Sequence, residues 1–537
     1  MSEPEVQSAA PEQGTEREAV GRPAGKVAAA TLCSRVTGLL REAVFAALFA
    51  IRGVADAYVF AFRIPNLLRD FFAEGAMASA FVPAFAEAKA KEGEARAFQL
   101  ANRVLGTLGL VAGILVGLGI IFAPFVVSIV AMDQAPAWRP ITIEMTRIMF
   151  PFLLLVAWAS VAMGILNTYR HYFVPAVAPM FFNVTAVISG TVLLLLDLDE
   201  STAALWWSVF VVVGGAMQLL VQIPALRSIG FRFRPQVDLR LRDPVLRKIV
   251  VRMGPVLLSL TATNVMIVIT TILASRTQGW ASSLNYAFRL VHLPIGVVGV
   301  AVGTIVLAAG ARRAAAEDTA GLDDIVRRGL RLNWFLALPA AVGLFVFAEP
   351  IVRLIYQRGT FTADSSVAVG HVLQCYAAGV VFYAGVKAAA PHFLARGDTR
   401  TPMVCSLLGI ATNLVVALAF VDEHGVGALA LAVAVGAATN YLALRLFAAR
   451  RFGAASRPGL PFLGRVLIAA AVMGGLGHLA AQAWLLGDGA VSDPWLHGGL
   501  TLGLIGVLAL VYLLVAQGLG VDEVRWIRAR LRRTRDA

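Results

Sequence analysis

The sequence predicts an all-α polytopic membrane protein of about fourteen transmembrane helices, built as two six-helix lobes in parallel repeat plus two C-terminal helices. Three observations predict it. Apolar runs of about 18 to 25 residues recur along the chain, each long enough for a helix to cross roughly 30 Å of hydrocarbon. Basic residues gather in alternate loops between these runs. A short pattern in the first half returns in the second.

Of the 537 residues, 58% are hydrophobic and only 15% charged, against roughly 45–50% apolar and about 25% charged in soluble domains. Such a chain needs lipid as its solvent. A closed barrel is excluded, because its strands are about half as long and alternate in polarity. The net charge of +13 is one that nucleic-acid binders carry. Here the cations sit in short loops between apolar runs, the positive-inside pattern, and no nucleic-acid partner is expected. Cys33, Cys375 and Cys405 lie in apolar segments without metal or redox spacing and read as reduced core thiols.

Residues 1–23 are rich in Glu, Pro, Gln and Ser and lack an apolar core, so they read as a disordered leader rather than a signal peptide. The N-lobe, 24–225, holds spans at 25–50, 57–86, 99–124, 140–166, 174–197 and 203–225. A basic cytoplasmic linker, 226–247, follows. The C-lobe, 248–447, holds spans at 248–275, 282–310, 331–354, 365–392, 402–421 and 425–447. Residues 448–519 carry spans 13 and 14 at 461–485 and 496–519, and 520–537 form a basic cytoplasmic tail.

Cations cluster after every even span: Lys89, Lys91 and Arg96; Arg170; Arg227 through Lys248; Arg312, Arg313, Arg327 and Arg328; Arg396 and Arg400; Arg450, Arg451 and Arg457. The odd loops are short and often acidic, as at Asp197, Asp199 and Glu200 or Asp422 and Glu423. Both termini are therefore expected in the cytoplasm. Ala61-Phe-Arg-Ile-Pro-Asn-Leu67 in span 2 answers Ala287-Phe-Arg-Leu-Val-His-Leu293 in span 8. Phe122-Ala-Pro-Phe-Val-Val answers Phe347-Ala-Glu-Pro-Ile-Val. A repeat unit of six spans keeps its orientation when duplicated, which makes the repeat parallel.

Span 1 places Thr31, Ser34, Arg35, Gly38, Arg41 and Glu42 within a stripe about 120° wide. A cation at the bilayer centre costs at least roughly 2.5–3.5 kcal/mol, so two on one face call for water or an anion. The plainer alternative is arginine snorkelling from a helix end. Span 2 carries Asp56, Arg63, Asn66, Arg69, Asp70 and Glu74 around Pro65 and Gly75. Arg63, Asp70 and Glu74 read as sharing a face, and mutual neutralisation is the alternative there. Span 8 aligns Ser282, Asn285, Arg289 and His292, continued by Gly296, Gly299 and Gly303. The polar half suggests a cavity and the glycine half close helix contact; a core or interface role is the plainer reading of His292. No catalytic motif appears, no histidine stands at ligand spacing, and neither enzyme activity, cofactor nor metal site is expected.

Ser34-Arg-Val-Thr-Gly-Leu-Leu-Arg-Glu42, Ala55-Asp-Ala-Tyr58 and Ala61-Phe-Arg-Ile-Pro-Asn-Leu-Leu-Arg-Asp-Phe-Phe-Ala-Glu-Gly-Ala76 closely resemble the MurJ (MviN) family of lipid II flippases. Ala80-Phe-Val-Pro83, Tyr286-Ala-Phe-Arg-Leu290 and Gly299-Val-Ala-Val-Gly-Thr304 continue the likeness, which covers most of the chain after residue 25. The resemblance implies two six-helix lobes around a V-shaped cavity, the fold of the MOP exporter superfamily, with spans 13 and 14 lining a groove for a lipid tail. It implies alternating access that carries undecaprenyl-diphosphate-linked peptidoglycan precursor outward across the bacterial inner membrane. Lipid II, membrane lipids and the cell-wall synthesis machinery are the implied partners. The family's cavity arginines match Arg35, Arg41, Arg69 and Arg289, and its span-2 acid matches Asp56. Ser34, Asn285 and His292 join them as expected substrate-binding residues.

Two departures concern the coupling ion. Phe288 and His292 stand where many members carry an acid and an acid or amide, and Thr270 stands where some carry a sodium-associated carboxylate. The competing functions are another MOP-type exporter of drugs or polysaccharide-lipids, a membrane glycosyltransferase and a non-transporting scaffold. Cation export favours an acidic cavity, and a scaffold leaves the intramembrane cations without a purpose.

Overall fold

The computed structural model describes residues 13–69, 76–240, 242–453, 459–486 and 493–525, which are built of helices with no strand among them. The first half holds α1 (Gln13–Phe49), α2 (Gly53–Arg69), α3 (Ala76–Glu92), α4 (Glu94–Ile121), α5 (Ala123–Val130), α6 (Arg139–Met149), α7 (Phe152–Thr168), α8 (Phe173–Leu195), α9 (Glu200–Leu220) and α10 (Ile223–Ser228). Then come α11 (Pro244–Ala274), α12 (Trp280–Pro294), α13 (Val300–Ala315), α14 (Thr319–Val346), α15 (Ala348–Tyr356), α16 (Ala363–Ala377), α17 (Val380–Ala389) and α18 (Pro391–Leu394). The last are α19 (Arg400–Phe452), α20 (Leu460–Ala481) and α21 (Pro494–Gly518).

Among the described residues, nine helices are long and apolar enough to cross a membrane, which makes the chain a multi-pass membrane protein. The expected spans 1, 2, 7 and 8 fall outside these nine; of them, α2 and α12 are 17 and 15 residues long, shorter than a full crossing. Conversely, α19 is 53 residues long but reverses at Gly425, where φ is +59°, a value that side chains other than glycine rarely adopt. Its halves then run back along each other so closely that a Cβ on Gly409 would meet the Gly436 carbonyl oxygen at 2.6 Å, and the converse holds. Two crossings therefore share one continuous run of helix. In lipid, where apolar burial drives helix association little, such small-residue contacts are the usual source of helix packing.

Other elements differ from expectation. Helix α1 already includes Gln13, so only residues 1–12 of the expected leader lie outside the described residues. Glu16, Arg17, Glu18 and Ala19, good helix formers, lie in this stretch. The expected second span divides into α2 and α3 on either side of residues 70–75, which lie outside the described residues together with Asp70 and Glu74. Of the three cysteines expected in the core only Cys405 is buried; Cys375 is half-buried and Cys33 exposed.

The repeat is visible in the backbone. Phe122 ends α4 at φ −92°, ψ 16°, donating its N–H to Leu118, and Phe347 ends α14 at φ −99°, ψ 22°, donating to Gly343. The two matched Phe-Ala motifs thus make the same break between a long helix and a short one.

The chain forms two compact units: Met1–Val44, Ile64–Pro124 and Ile143–Leu257 in one, Phe45–Arg63, Phe125–Thr142 and Leu258–Ala537 in the other. The division does not follow the linker. Segment 45–63 is hydrogen-bonded to residues 279–286 and 360, far along the chain, and so counts with the second unit.

In the first unit, Phe81, Phe85, Leu100, Val161, Ile165 and Phe231 form a core to which Leu246, Ile249 and Met253 of α11 are added. The linker is docked along α4. Asn102 donates its side-chain amide to the Arg232 carbonyl (3.1 Å) and accepts the Arg234 N–H (2.7 Å), while its backbone carbonyl accepts the Gln236 N–H (2.9 Å). Asp243 ends the linker, accepting the Val245 N–H (3.0 Å) at the start of α11 and pairing with Arg96 (2.9 Å) and Arg103 (2.6 Å). Burial raises the pKa of its carboxyl, but the hydrogen bonds from the two arginines outweigh that and hold it at about 2. In the second unit, Phe335, Val466, Ala469, Leu485 and Leu508 form the core joining α14, α20 and α21.

Candidate functional site

The polar stripe of α1 meets one amide in the first unit. Asn183, the one amide side chain in α8, is 8% exposed. Its side chain donates to the Ser34 carbonyl at 3.1 Å and accepts from Arg41 Nη1 at 3.2 Å. The Arg41 guanidinium also pairs with Glu42 and lies 5.2 Å from the centre of the Phe182 ring. Asn183 is thus a hinge between the two polar residues of the stripe, and its carbonyl fixes where the guanidinium points. A partly buried cation held this way stays charged, and its planar fork matches phosphate oxygens.

Ser34 and Arg35 are half-buried on the same helix, and Arg35 has no carboxylate partner among the described residues. Arg69, also half-buried, ends α2 in the same unit. The lone amide within span 174–197 was the sequence signal for Asn183, and the stripe arguments, confined to spans 1, 2 and 8, passed over it.

The second unit holds the other expected residues. On α12, Asn285 is half-buried while Arg289 and His292 are exposed at the protein surface, and the His292 ring lies 4.4 Å from that of Phe288, tilted by 59°. Phe288 also contacts Tyr376 at 5.4 Å, so the position where an acid was anticipated is part of an aromatic contact. After Pro294 the helix loosens into a π-turn at Ile295–Gly299, an irregularity frequent at functional sites. Gly299 and Gly303 then press against α17, where a Cβ would meet Ala384 at 3.1 Å and the Lys387 carbonyl at 2.7 Å. The glycine half of this face does make the close contact the sequence suggested.

Asp56, expected among the substrate-binding residues, is hydrogen-bonded to backbone in this structure. It is 3% exposed, and its two carboxylate oxygens accept the backbone N–H groups of Gly279 and Ser282 at the start of α12. The first N–H groups of a helix have no partner within it and carry partial positive charge, so a buried carboxylate there is both satisfied and stabilising. In this structure Asp56 is a clamp that positions the Arg289 helix, and its oxygens are committed to backbone. The clamp is extended by the Tyr286 hydroxyl donating to the Ala50 carbonyl (2.9 Å) and by Thr360 donating to Ala47 through its N–H (2.9 Å) and hydroxyl (3.1 Å).

A groove of about 420 Å³ in the same unit runs among α14, α20 and α21 and is apolar along its length. Phe335, Val346, Met473, Leu508 and Leu513 line it, and one end reaches Pro294, two residues beyond His292. No group of three or more potential metal ligands occurs among the described residues.

The family model described as lipid II flippase MurJ matches residues 45–496. A probable lipid II flippase MurJ of Rhizobium meliloti is 35% identical over 517 residues, covering 94% of this chain and 95% of the relative. The lipid II flippase MurJ of Burkholderia cenocepacia is 36% identical over 459 residues, covering 84% of this chain and 88% of that protein. Among solved structures, a lipid II flippase MurJ in an inward closed conformation matches with a TM-score of 0.77 at 22% identity, covering 93% of this chain and 99% of that one. An inward-facing MATE-family transporter of the MOP superfamily matches with a TM-score of 0.62 at 16% identity, covering 78% and 95%. These two likenesses concern the fold. The family match and the sequence identities together place the chain in the lipid II flippase MurJ family.

Proposed function

We propose that this chain is a lipid II flippase, moving undecaprenyl-diphosphate-linked peptidoglycan precursor from the cytoplasmic to the outer leaflet of the bacterial inner membrane by alternating access. The observation that carries this reading is that α12 bears the cation Arg289 and that an apolar groove reaches Pro294 at the end of the same helix. A substrate with a charged diphosphate on a long hydrocarbon tail needs both.

In this reading Arg35, Arg41, Arg69 and Arg289 hold the diphosphate. Ser34, Asn285 and His292 add hydrogen bonds, and the tail lies in the groove of α14, α20 and α21. Arginine suits the first task because its guanidinium donates two parallel hydrogen bonds to phosphate oxygens. Release requires these contacts to be weaker in the outward state than in the inward one. Asp56 acts on the substrate only through α12. The chain crosses the membrane fourteen times with both termini in the cytoplasm, and the machinery that polymerises the precursor is its partner outside. It is a transporter and carries out no chemistry on its substrate.

Export of cationic drugs, the alternative within the superfamily, favours an acidic cavity, which the arginines of spans 1, 2 and 8 oppose. The deciding experiment is complementation of cells depleted of their own flippase, scored by precursor exposed at the outer surface. Survival with exposed precursor is expected; accumulation of precursor at the inner surface despite normal protein levels would refute the assignment.

A further inference from the structure

A second apolar groove, remote in sequence from the residues above, lies where the linker packs on the first unit, the end expected to face the cytoplasm. It encloses about 460 Å³ between α4, α7, α9, α10 and the linker, within the roughly 300–1,000 Å³ of ordinary ligand pockets. Its walls are Leu105, Trp158, Leu219, Ile223, Leu226 and Phe233, and Arg227 and Arg232 stand at its rim. No carboxylate lines it, and neither arginine pairs with one among the described residues.

The rim is built. Asn102, 7% exposed, holds the backbone on both sides of Phe233 through the Arg232 carbonyl and the Arg234 N–H. Trp158 donates its indole N–H to the Leu105 carbonyl (3.0 Å) and meets Phe233 edge to face at 5.3 Å. The linker beyond it exposes Phe233 (48%), Val237 (57%) and Leu239 (59%) among Arg232, Arg234, Arg240 and Arg242. Large apolar side chains interleaved with cations are the pattern of a segment lying at a membrane surface.

We propose that this groove binds one anionic glycerophospholipid of the cytoplasmic leaflet, its phosphate at Arg227 and Arg232 and one acyl chain between Leu219, Ile223 and Phe233. Charge complementarity selects that occupant. Anionic lipids enrich this leaflet and basic groups at its surface attract them, and a zwitterionic lipid lacks the net charge that two unpaired arginines favour. A comparable groove of about 600 Å³ between α13 and α14 provides the contrast. There Asp324 pairs with Arg327 and Arg328 and Glu523 with Arg331, so its cations are already neutralised.

The test uses the purified full chain and two lipids with identical acyl chains, phosphatidylglycerol and phosphatidylcholine, with retention read by native mass spectrometry. The wild-type protein is expected to retain one phosphatidylglycerol in preference to phosphatidylcholine by about tenfold or more. Arg227→Ala/Arg232→Ala should abolish that preference. Leu219→Trp, which fills the groove, should lower retention of both lipids, and Arg327→Ala/Arg328→Ala should change neither. Equal retention of the two lipids by the wild type, or an undiminished preference in the Arg227/Arg232 double variant, would overturn the proposal. Displacement of the lipid by millimolar inorganic phosphate, with Leu219→Trp without effect, would also overturn it, because the site would then recognise phosphate alone. These readouts do not depend on flipping, so they stand or fall separately from the transport assignment.

Discussion

The carboxylate of Asp56 accepts the backbone N–H of Ser282 at 2.7 Å, across 226 positions of sequence, and so joins the first turn of α2 to the first turn of α12. A helix-capping carboxylate contributes about 0.5–2 kcal/mol. Asp56→Ala is therefore expected to lower the thermal unfolding temperature of the purified protein, with Asp56→Asn intermediate because its carbonyl still accepts one N–H. Unchanged melting with lost precursor binding would return Asp56 to the substrate site.

Arg41 and Arg289 are expected to be indispensable for transport. Arg41→Ala and Arg289→Ala should abolish precursor flipping while the protein accumulates normally in the membrane. The lysine variants should recover only part of it, since lysine keeps the charge but not the fork. Asn183→Leu, which removes the acceptor for Arg41, should reduce flipping roughly tenfold or more, the scale of one hydrogen bond to a charged group. Near-normal binding and flipping by well-folded alanine variants would show these cations to be structural.

Transport is expected to proceed equally well in sodium and potassium. Thr270 on α11 is half-buried and offers one hydroxyl, whereas hard cations favour several oxygen ligands, usually including carboxylate. A steep sodium requirement in reconstituted vesicles would contradict this.

Stability should depend on pH through Asp243. Its pKa is held at about 2 in the folded chain, below the ordinary value of 3.8, so its contribution, on the order of 2 kcal/mol, is present above about pH 4 and is lost as pH falls toward 2. Melting temperatures measured across that range should fall less steeply in Asp243→Asn, which starts lower. Arg103→Ala should move the loss to higher pH.

The linker is expected on the cytoplasmic side. Gln236→Cys, at an exposed linker position, in a background lacking Cys33, Cys375 and Cys405 should react with impermeant thiol reagents only after the inner face is opened. Rapid labelling of intact cells would reverse the topology.

The sequence by itself determined the solvent of this protein, its helical class, and the polar faces of spans 1 and 8. Those follow from composition, run length and periodicity, which are local properties of neighbouring residues. The motifs at Phe122 and Phe347 were legible as a repeat, but the expected span 331–354 ran through Phe347, and only the structure showed that both motifs break a helix. Tertiary structure alone decided that Asp56 accepts the first N–H groups of α12, that Asn183 holds Arg41, and that Asn102 docks the linker on α4. These partners lie 226, 142 and 132 residues apart. Neither charge nor spacing specifies such a pairing. A buried carboxylate or amide takes whichever unsatisfied group the folded chain brings within hydrogen-bond reach, and that is known only once the helices are packed.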